Sequence, residues 1–340
     1  MTTAIDHHHQ SRRAAWCAAW LLLASVLLAL CGASVGSTGF DSVLRMHGDP
    51  VAWQIVWDIR LPRTAGAWLA GALLGLSGAV AQGLFRNPLA DPYLLGSASG
   101  ASMGVAIALA LFGTSPASTQ WVVRLGLTGA AFIGAVVAVL LTLLLARGVQ
   151  QTLRLLLAGV IVGVVLGAVK DLITLSSVDV MQAIVGFMLG STALVGWSAC
   201  AVMAAVATVC LLLGWALAPV LDGLALGEST AQSLGLPLGA MRAALVAVLA
   251  LATGAAVAQT GLIAFVGLAA PHLVRSVVKT THAWLILLSA GMGGLLLMAA
   301  DLGARWLIAP QELPVGVLTA VLGGSYLLWL MHRRSARVSV

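Results

Sequence analysis

The side chains that could do covalent chemistry are few and scattered. The two glutamates, Glu228 and Glu312, have no histidine at the spacing of a zinc-dependent protease. The two lysines, Lys170 and Lys279, follow no glycine-rich P-loop, and no Gly-x-Ser-x-Gly sequence presents a serine nucleophile. We therefore predict no catalytic residue and no enzyme activity. If ATP drives the function, a separate chain must hydrolyse it.

Metal-binding patterns are equally sparse. Four cysteines (17, 31, 200 and 210) fall in apolar runs without metal-like spacing, and we interpret them as small packing residues. Three adjacent histidines, His7–His9, lie near a polar terminus, where such a run is more often incidental than a ligand set. We predict no metal site and no permanently bound cofactor.

Arginines and prolines form the most distinctive polar pattern. The stretch Arg60–Arg63 (RLPR) places two arginines before an apolar run, Thr64–Leu84, and Arg86–Pro92 (RNPLADP) follows that run. Pro88 and Pro92 disfavour helix and predict a rigid turn. One membrane helix would thus carry a basic pair at one end and an Asn-Pro turn at the other.

The composition places these residues in a membrane. The 340 residues are 61% hydrophobic and 8% charged, whereas soluble proteins carry roughly 25% charged residues. A bilayer-spanning helix needs about 20 apolar residues. Apolar runs predict an all-α protein with ten spans, and the eighth is the least secure because Pro271 interrupts it. The runs are Trp16–Val35, Thr64–Leu84, Tyr93–Phe112, Val122–Ala146, Leu155–Leu175, Trp197–Ala218, Ala240–Ala258, Leu262–Val278, Ala283–Ala300 and Pro314–Met331.

These runs predict a single transmembrane domain over residues 1–340, with both termini on one side. Basic residues favour that side, which the positive-inside rule makes cytoplasmic, and residues 1–15 form a cytoplasmic tail. No cleavable signal peptide is evident, so the first span is expected to remain as an anchor. The net charge of +6 is mostly a topology signal, and no basic patch with interleaved aromatics indicates nucleic-acid binding.

Glycines and two outer segments complete the pattern. Glycines inside spans, such as Gly71, Gly75 and Gly78, predict close helix packing. Residues 37–59 are expected to lie along the outer interface. Residues 176–196 are expected to form a short outer helix, capped by Ser177 or Asp179.

The longest inward loop, residues 219–239, is predicted to contain a short helix from Glu228 to Leu234. Gly235 and Pro237 would end it. A helix of that length is marginal alone in water, where about 12–15 residues are needed. It must therefore dock on another surface, either a partner protein or the lipid.

The motifs together resemble the permeases of iron-siderophore, haem and cobalamin ABC importers (FecCD-like, type II importers). The resemblance covers nearly the whole chain from the second span onward. The matching motifs are Arg60–Arg63, Leu76–Gly78 with Gln82, Arg86–Pro92 with Gly96 and Gly100, Leu155–Gly159, Gly261–Leu268, Pro271–Arg275, and Glu312–Gly316 with Thr319 and Gly323.

The resemblance implies a homodimeric permease in the bacterial inner membrane, two cytoplasmic ATPase subunits that use the ATP, and a periplasmic substrate-binding protein. It implies that Arg60, Arg63 and Arg305 dock acidic residues of that binding protein; contact with phospholipid headgroups is the alternative. The implied cytoplasmic gate comprises Asn87, Pro88 and Leu89, with Thr152 and Leu153, although Leu153 replaces an expected small polar residue. The implied ATPase-coupling residues are Gly227, Glu228, Ser229, Ala231, Leu234 and Gly235.

The sequence leaves the cargo open. Few charges line the spans, which favours a bulky cargo whose metal is already enclosed over a bare ion. We expect an iron complex, haem or ferric siderophore, with cobalamin as the alternative. Lys170 is either a helix-end residue or a contact for a cargo carboxylate. A gradient-driven carrier is a rival that would require an intramembrane acid, and only Asp171 is placed for that role.

Overall fold

The computed structural model describes residues 2–36, 39–40, 50–112, 121–146, 152–233 and 237–338. A two-residue antiparallel pair, β1 (Val35–Gly36) with β2 (Gly39–Phe40), accompanies a helical bundle. A π-helix, Val56–Arg60, joins α2 to α3, and a 3-10 helix, Pro92–Leu95, precedes α4. The helices are α1 (Thr2–Ser34), α2 (Pro50–Ile55), α3 (Leu61–Leu84), α4 (Ser97–Phe112), α5 (Trp121–Leu145), α6 (Thr152–Thr174), α7 (Val178–Leu189), α8 (Trp197–Ala216), α9 (Ala218–Ala225), α10 (Glu228–Ser233), α11 (Leu238–Thr260), α12 (Val266–Val277), α13 (His282–Trp306) and α14 (Val315–Val338).

Each of the ten apolar runs contains a helix, which confirms the all-α membrane fold. Within the described residues, 7 helical stretches are long and apolar enough to cross a membrane, and α4, α7 and most of α14 are shorter apolar helices. The 7 stretches are Gln10–Ser34, Pro50–Leu84, Gly126–Leu145, Leu153–Thr174, Trp197–Ala216, Leu238–Thr260 and His282–Trp306.

The centre of the bundle is the antiparallel pair of α3 and α13, which make the most extensive helix contact of the described chain. Small residues allow it: a Cβ on Gly71 would lie 2.2 Å from the carbonyl oxygen of Gly293, and one on Gly75 would lie 2.0 Å from that of Ser289. Membrane helices gain stability from such close backbone approach. The prediction that these glycines serve packing is confirmed.

Because α3 and α13 run in opposite directions, their termini define two ends of the molecule. The arginine end is defined by Arg60, Arg63 and Arg305, and the turn end by the segment Arg86–Pro92. The C-terminus of α11 lies at the arginine end, because the Ser191 amide after α7 donates to the Thr260 carbonyl at 2.8 Å. The chain therefore separates two polar regions by the length of its helices.

Two non-helical segments meet inside the bundle. The turn after α3 leads into the 3-10 helix, and residues 261–265 lead into α12. The Tyr93 hydroxyl donates to the Ile263 carbonyl at 3.1 Å, and a Cβ on Gly267 would lie 2.5 Å from Cγ of Pro92. Irregular backbone at membrane depth is tolerated where protein buries it or a cavity adjoins it.

The eighth apolar run crosses only in part as a helix. The helix α12 has 12 residues with Pro271 inside, which gives a length of about 18 Å against a bilayer core of about 30 Å. The irregular segment 261–265 precedes it, and Phe265 has a φ of 68°, in the left-handed region. The span is irregular over its first part, so its predicted weakness has a physical basis. The predicted cause was wrong, because Pro271 lies inside α12 and does not interrupt the helix.

The predicted starts of the second and third spans were wrong, and the predicted cap of α7 lacks its hydrogen bond. The second span was predicted to start at Thr64, but its helical stretch begins at Pro50. Residues 50–59 of the predicted outer segment are therefore continuous with that stretch. The third helix begins at Ser97, because Asp91 accepts a hydrogen bond from the Tyr93 amide at 2.8 Å and starts a 3-10 turn. Ser177 occupies the N-cap of α7, but neither its hydroxyl nor another side chain makes a capping hydrogen bond.

Candidate functional site

At the arginine end, Arg63 connects two helices through two acidic residues. Its Nε donates to Oδ1 of Asp301 at 3.0 Å, and its Nη1 lies 2.8 Å from Oε2 of Glu312. Asp301 lies in α13 and Glu312 precedes α14. The arginine thus fixes the start of α3 against the segment that joins α13 to α14.

Asp301 is the centre of this network. Its side chain is fully buried, and it accepts hydrogen bonds from Arg63, from the Thr192 hydroxyl at 2.5 Å, and from Arg305 one turn later in α13. A buried carboxylate is tolerated when charges and hydrogen bonds satisfy it. Asp301 therefore ties α3, α13 and the segment after α7 together.

The remaining two arginines join the network through the first helix of the chain. Arg305 donates to the carbonyl of Gly32 at 3.3 Å and to the hydroxyl of Thr64 at 3.2 Å. Arg60 donates to the carbonyls of Ala33 and Ser34 at the end of α1. Since Arg60 and Arg305 both contact this part of α1, the structure gathers the three predicted docking arginines in one place.

The three arginines lie below the surface of the single chain. Arg60, Arg63 and Arg305 are 9%, 8% and 2% exposed, whereas the Glu312 side chain is 29% exposed. Two of the three guanidinium groups, those of Arg63 and Arg305, pair with Asp301, and Arg63 also pairs with Glu312. That these arginines dock a binding protein stays a prediction. An acidic group of the binding protein would have to contact buried arginines, of which Arg63 and Arg305 are already paired with carboxylates of this chain.

At the turn end, the predicted gate residues Asn87, Pro88 and Leu89 are exposed. The Asn87 side chain accepts a hydrogen bond from the Leu89 amide at 2.9 Å, which closes a tight Asx turn. Arg86 has a φ of 48°, in the left-handed region. The Pro-containing segment is therefore a defined turn, as the sequence predicts, and its gating role stays a prediction.

The other predicted gate position lies at the start of α6. Leu153 is 78% exposed, and the side chain of Thr152 lies outside the described residues. Beside the turn, Arg275 of α12 donates to the side-chain oxygen of Gln82, and the Gln82 amide donates to the Leu268 carbonyl at 3.1 Å. Gln82 thus holds α12 against the last turns of α3.

The predicted coupling loop contains two short helices, α9 and α10. The second begins at Glu228, as expected, and ends at Ser233; Leu234 and Gly235 lie outside the described residues, as does the side chain of Ser229. Gly227 precedes it with a φ of 114°, in the left-handed region. The coupling role of these residues stays a prediction.

Contacts within the chain hold α10 in place. Ala231 is fully buried, and Oε1 of Glu228 lies 2.5 Å from Nη2 of Arg242 in α11. The sequence predicted that so short a helix must dock on something. At least part of that surface belongs to the chain itself.

A second polar tie at the turn end joins α9 to α13. The His282 ring nitrogen Nδ1 lies 2.6 Å from Oδ1 of Asp222, and the His282 amide donates to the same oxygen at 3.1 Å. Burial alone raises the pKa of the Asp222 carboxyl, but the hydrogen bonds and charge of His282 lower it by more, so the net shift is downward. The carboxylate form therefore persists to lower pH than in an exposed aspartate.

The candidate cargo contact, Lys170, faces its own chain. Its Nζ lies 2.7 Å from Oδ1 of Asp171 and 3.5 Å from Sδ of Met188 in α7, and the residue is 8% exposed. This geometry fits the interpretation as a paired helix-end residue. Cargo contact stays a prediction and would require Lys170 to leave these partners.

A half-open cavity of about 850 Å³ lies at the arginine end between α4, α5, α7 and α11. Its lining mixes apolar side chains with hydroxyl and amide groups. Asp179 is the acidic side chain of the described lining, which includes no lysine or arginine. The polar groups are Thr128, Ser176, Ser177, Asp179, Gln182, Ser191, Gln259 and Thr260.

The sequence missed several of the charged residues that organise both ends. Asp301 lies just past a predicted span, and only its spacing of four from Arg305 could have indicated a helical ion pair. The sequence interpretation that Asp171 alone suits an intramembrane acid was wrong, because Asp301 is fully buried. The contacts Glu228–Arg242 and Asp222–His282 bridge separate helices and leave no local pattern.

Comparisons with known proteins agree over most of the chain. The hemin transport system permease protein HmuU of Yersinia pestis is 38% identical over 322 residues, which cover 93% of this chain and 95% of that protein. The vitamin B12 import system permease protein BtuC of Escherichia coli O17:K52:H18 is 39% identical over 333 residues, which cover 97% and 98%. Both relatives are named as permeases of import or transport systems.

A solved structure shares the architecture. A metal-chelate type ABC transporter in an inward-facing conformation superposes with a TM-score of 0.83 at 29% identity, covering 93% of this chain and 98% of that one. The family model named FecCD transport family matches residues 21–333, which include the arginine end, the turn end and the loop that carries α10. This chain is therefore a multi-pass membrane permease that belongs to the FecCD transport family.

Proposed function

We propose that this chain is the translocating subunit of an ATP-driven importer that delivers an iron complex, haem or a ferric siderophore, to the cytoplasm. The observation that carries the proposal is the match of fold over 93% of the chain to a metal-chelate type ABC transporter. Within that fold, the arginine end and the turn end carry different sets of polar residues. A transporter that receives cargo from a binding protein on one side and contacts an ATPase on the other needs two such different surfaces.

The arginine end would receive a periplasmic binding protein. Arg60, Arg63 and Arg305 lie together at this end of the bundle, and basic groups that face an acidic partner raise encounter rates and fix register. Because Glu312 already contacts Arg63 and is partly exposed, an acidic group of the binding protein would share or replace that contact. The alternative partner for these arginines is a phospholipid headgroup.

The turn end would face two cytoplasmic ATPase subunits, and both chain termini would lie on that side in a bacterial inner membrane. The loop with Gly227, Glu228 and Ala231 would contact the ATPase, together with Ser229, Leu234 and Gly235. The turn at Asn87–Leu89, with Thr152 and Leu153, would form the cytoplasmic gate. The permease would act as a homodimer, with the pathway along the dimer axis.

Cobalamin is the second candidate cargo, and two observations favour it. The relative BtuC, a vitamin B12 import system permease, is 39% identical over 97% of this chain. The cavity at the arginine end offers amide and hydroxyl groups and one carboxylate, which suits a cargo that presents amides better than one with free carboxylates. A ferric siderophore that presents amides or hydroxamates fits the same lining.

The first experiment identifies the partners. The chain is purified gently from its native membrane after light crosslinking, and co-purifying proteins are identified by mass spectrometry. We expect a P-loop ATPase at stoichiometric level and an exported binding protein. Recovery of the chain without any ATPase would contradict the proposal and would make a gradient-driven carrier the leading alternative.

The cargo is then identified by measuring the uptake of labelled ligands into cells that have or lack the chain. Labelled haemin, a ferric hydroxamate and cyanocobalamin are compared at equal concentration, and the purified binding protein is tested against the same three ligands. Chain-dependent uptake of an iron complex supports the main proposal. Uptake of cyanocobalamin alone would establish the second candidate.

A further inference from the structure

Among the described side chains of the short helix α10, Ala231 and Glu228 contact the rest of the chain in two different ways. Ala231 on one side is fully buried, and Glu228 at its start forms an ion pair with Arg242, with 2.5 Å between Oε1 and Nη2. The Glu228 side chain is 37% exposed, while that of Arg242 is 6% exposed. The pair therefore connects a residue at the surface to a buried residue of the bundle.

Arg242 lies in the second turn of α11, a helix of 23 residues from Leu238 to Thr260. At 1.5 Å per residue, α11 extends over about 35 Å, long enough to cross the bilayer core. Its other end reaches the arginine end, where Thr260 accepts a hydrogen bond from Ser191 and Gln259 lines the cavity. One continuous helix thus connects the neighbourhood of α10 to the opposite side of the molecule.

The ion pair adds a directional link between α10 and α11 to the packing of Ala231. A helix of six residues is not stable alone, so α10 keeps its shape and position through what it touches. Small apolar contacts, such as that of Ala231, permit sliding, whereas a short contact between charged groups is directional and resists separation.

We propose that Arg242 is a positioning residue: its ion pair with Glu228 ties α10 to α11, so that a displacement of α10 shifts α11 as one body. The inference rests on the proposed function, because a bound ATPase must supply that displacement. It also changes the meaning of a substitution at Glu228. An arginine placed there would face Arg242, so uncoupling by that variant need not report a lost ATPase contact.

The test uses the complete transporter, reconstituted in proteoliposomes with its ATPase and binding protein. The measured quantity is the amount of cargo delivered per ATP hydrolysed. We expect R242Q to lower this ratio about tenfold, and the charge-reversed double variant E228R/R242E to return it to within about threefold of the wild type. R242K, which keeps the charge on a more flexible stem, should give an intermediate ratio.

The matched control removes an exposed arginine near the start of α1, in R13Q. It changes the charge of the chain by the same amount without touching α10, and the ratio should stay at the wild-type value. A wild-type ratio in R242Q would overturn the tie. The single variants E228R and R242E are measured beside the double variant. A ratio in E228R/R242E no higher than in either single variant would also overturn the proposed tie, because Glu228 would then act by contacting the ATPase directly.

A second measurement needs no ATPase and separates failure of the tie from failure of the proposed function. Hydrogen exchange is followed at the α10 amides of the purified chain, among them Ala231, whose amide donates to the Gly227 carbonyl at 3.0 Å. Exchange should accelerate in R242Q and slow again in E228R/R242E. Unchanged exchange in R242Q would refute the tie even if transport fell, whereas a wild-type chain that binds no ATPase would refute only the proposed function.

Discussion

At the scale of single residues, the charged side chains that pair between helices of the described chain lie at two places. The arginine end centres on Asp301, and the turn end carries the pairs Glu228–Arg242 and Asp222–His282. These residues are few in number, but their contacts fix the positions of the helices relative to one another. Asp301 is fully buried, where an unpaired charge would be penalised, whereas Glu228 and Asp222 are partly exposed and pair with a more buried arginine or histidine.

Asp301 gives the sharpest prediction at this scale. D301N removes the carboxylate that accepts from Arg63, Thr192 and Arg305. Breaking a buried ion pair leaves uncompensated charge, which costs about 3–5 kcal/mol. We expect a lower unfolding temperature for the detergent-solubilised chain, measured by differential scanning fluorimetry.

The control for this substitution is D58N, because Asp58 is exposed and also lies near the arginine end. Exposed substitutions of this kind usually change stability by no more than about 0.5 kcal/mol. Equal unfolding temperatures for D301N and the wild type would show that the network does not stabilise the fold.

At the scale of helices and segments, glycine decides how the irregular parts pack. A Cβ on Gly78 of α3 would lie 1.7 Å from the carbonyl oxygen of Gly267 at the start of α12. Gly267 is itself packed against Pro92. The backbone at Gly267 lies between α3 and Pro92, so it cannot move away from Gly78 without disturbing its contact with Pro92. The packing of the segments around Pro92 and Gly267 therefore depends on this contact.

We therefore expect G78A to destabilise the chain and to lower uptake. Overpacking costs about 1–3 kcal/mol, or more where backbone must shift. The matched control is G129A in α5, because a Cβ there would have no atom within 4 Å and alanine favours helix. Thermal unfolding and uptake are measured for both variants, and an unfolding temperature of G78A equal to that of G129A would contradict the packing argument.

At the scale of the whole molecule, the predicted homodimer gives the third test. The chain has a mass of 34.6 kDa, and light scattering with the detergent contribution subtracted should give twice that value. Large apolar side chains are exposed along α6 and α14, as at Val164 and Val321, and either lipid or a partner copy can cover them. A monomer mass at all concentrations, with transport retained, would exclude the dimer.

The sequence by itself determined the class of the protein. Ten apolar runs, few charges and scattered small residues leave helices as the structure that satisfies the backbone in lipid. Ordered motifs such as Arg60–Arg63 and Arg86–Pro92 were enough to indicate the family. These features are local, so periodicity and composition reveal them.

Only the tertiary structure decided how the polar residues pair. Asp301 meets Arg63 across 238 positions of the chain, and Asp222 meets His282 across 60. The partial helix α12 likewise depends on contacts of Gly267 with α3 and Pro92. Such contacts follow from how helices pack and leave no periodic trace. The sequence therefore predicted the apolar helices, and the packed bundle decided which charged residues pair.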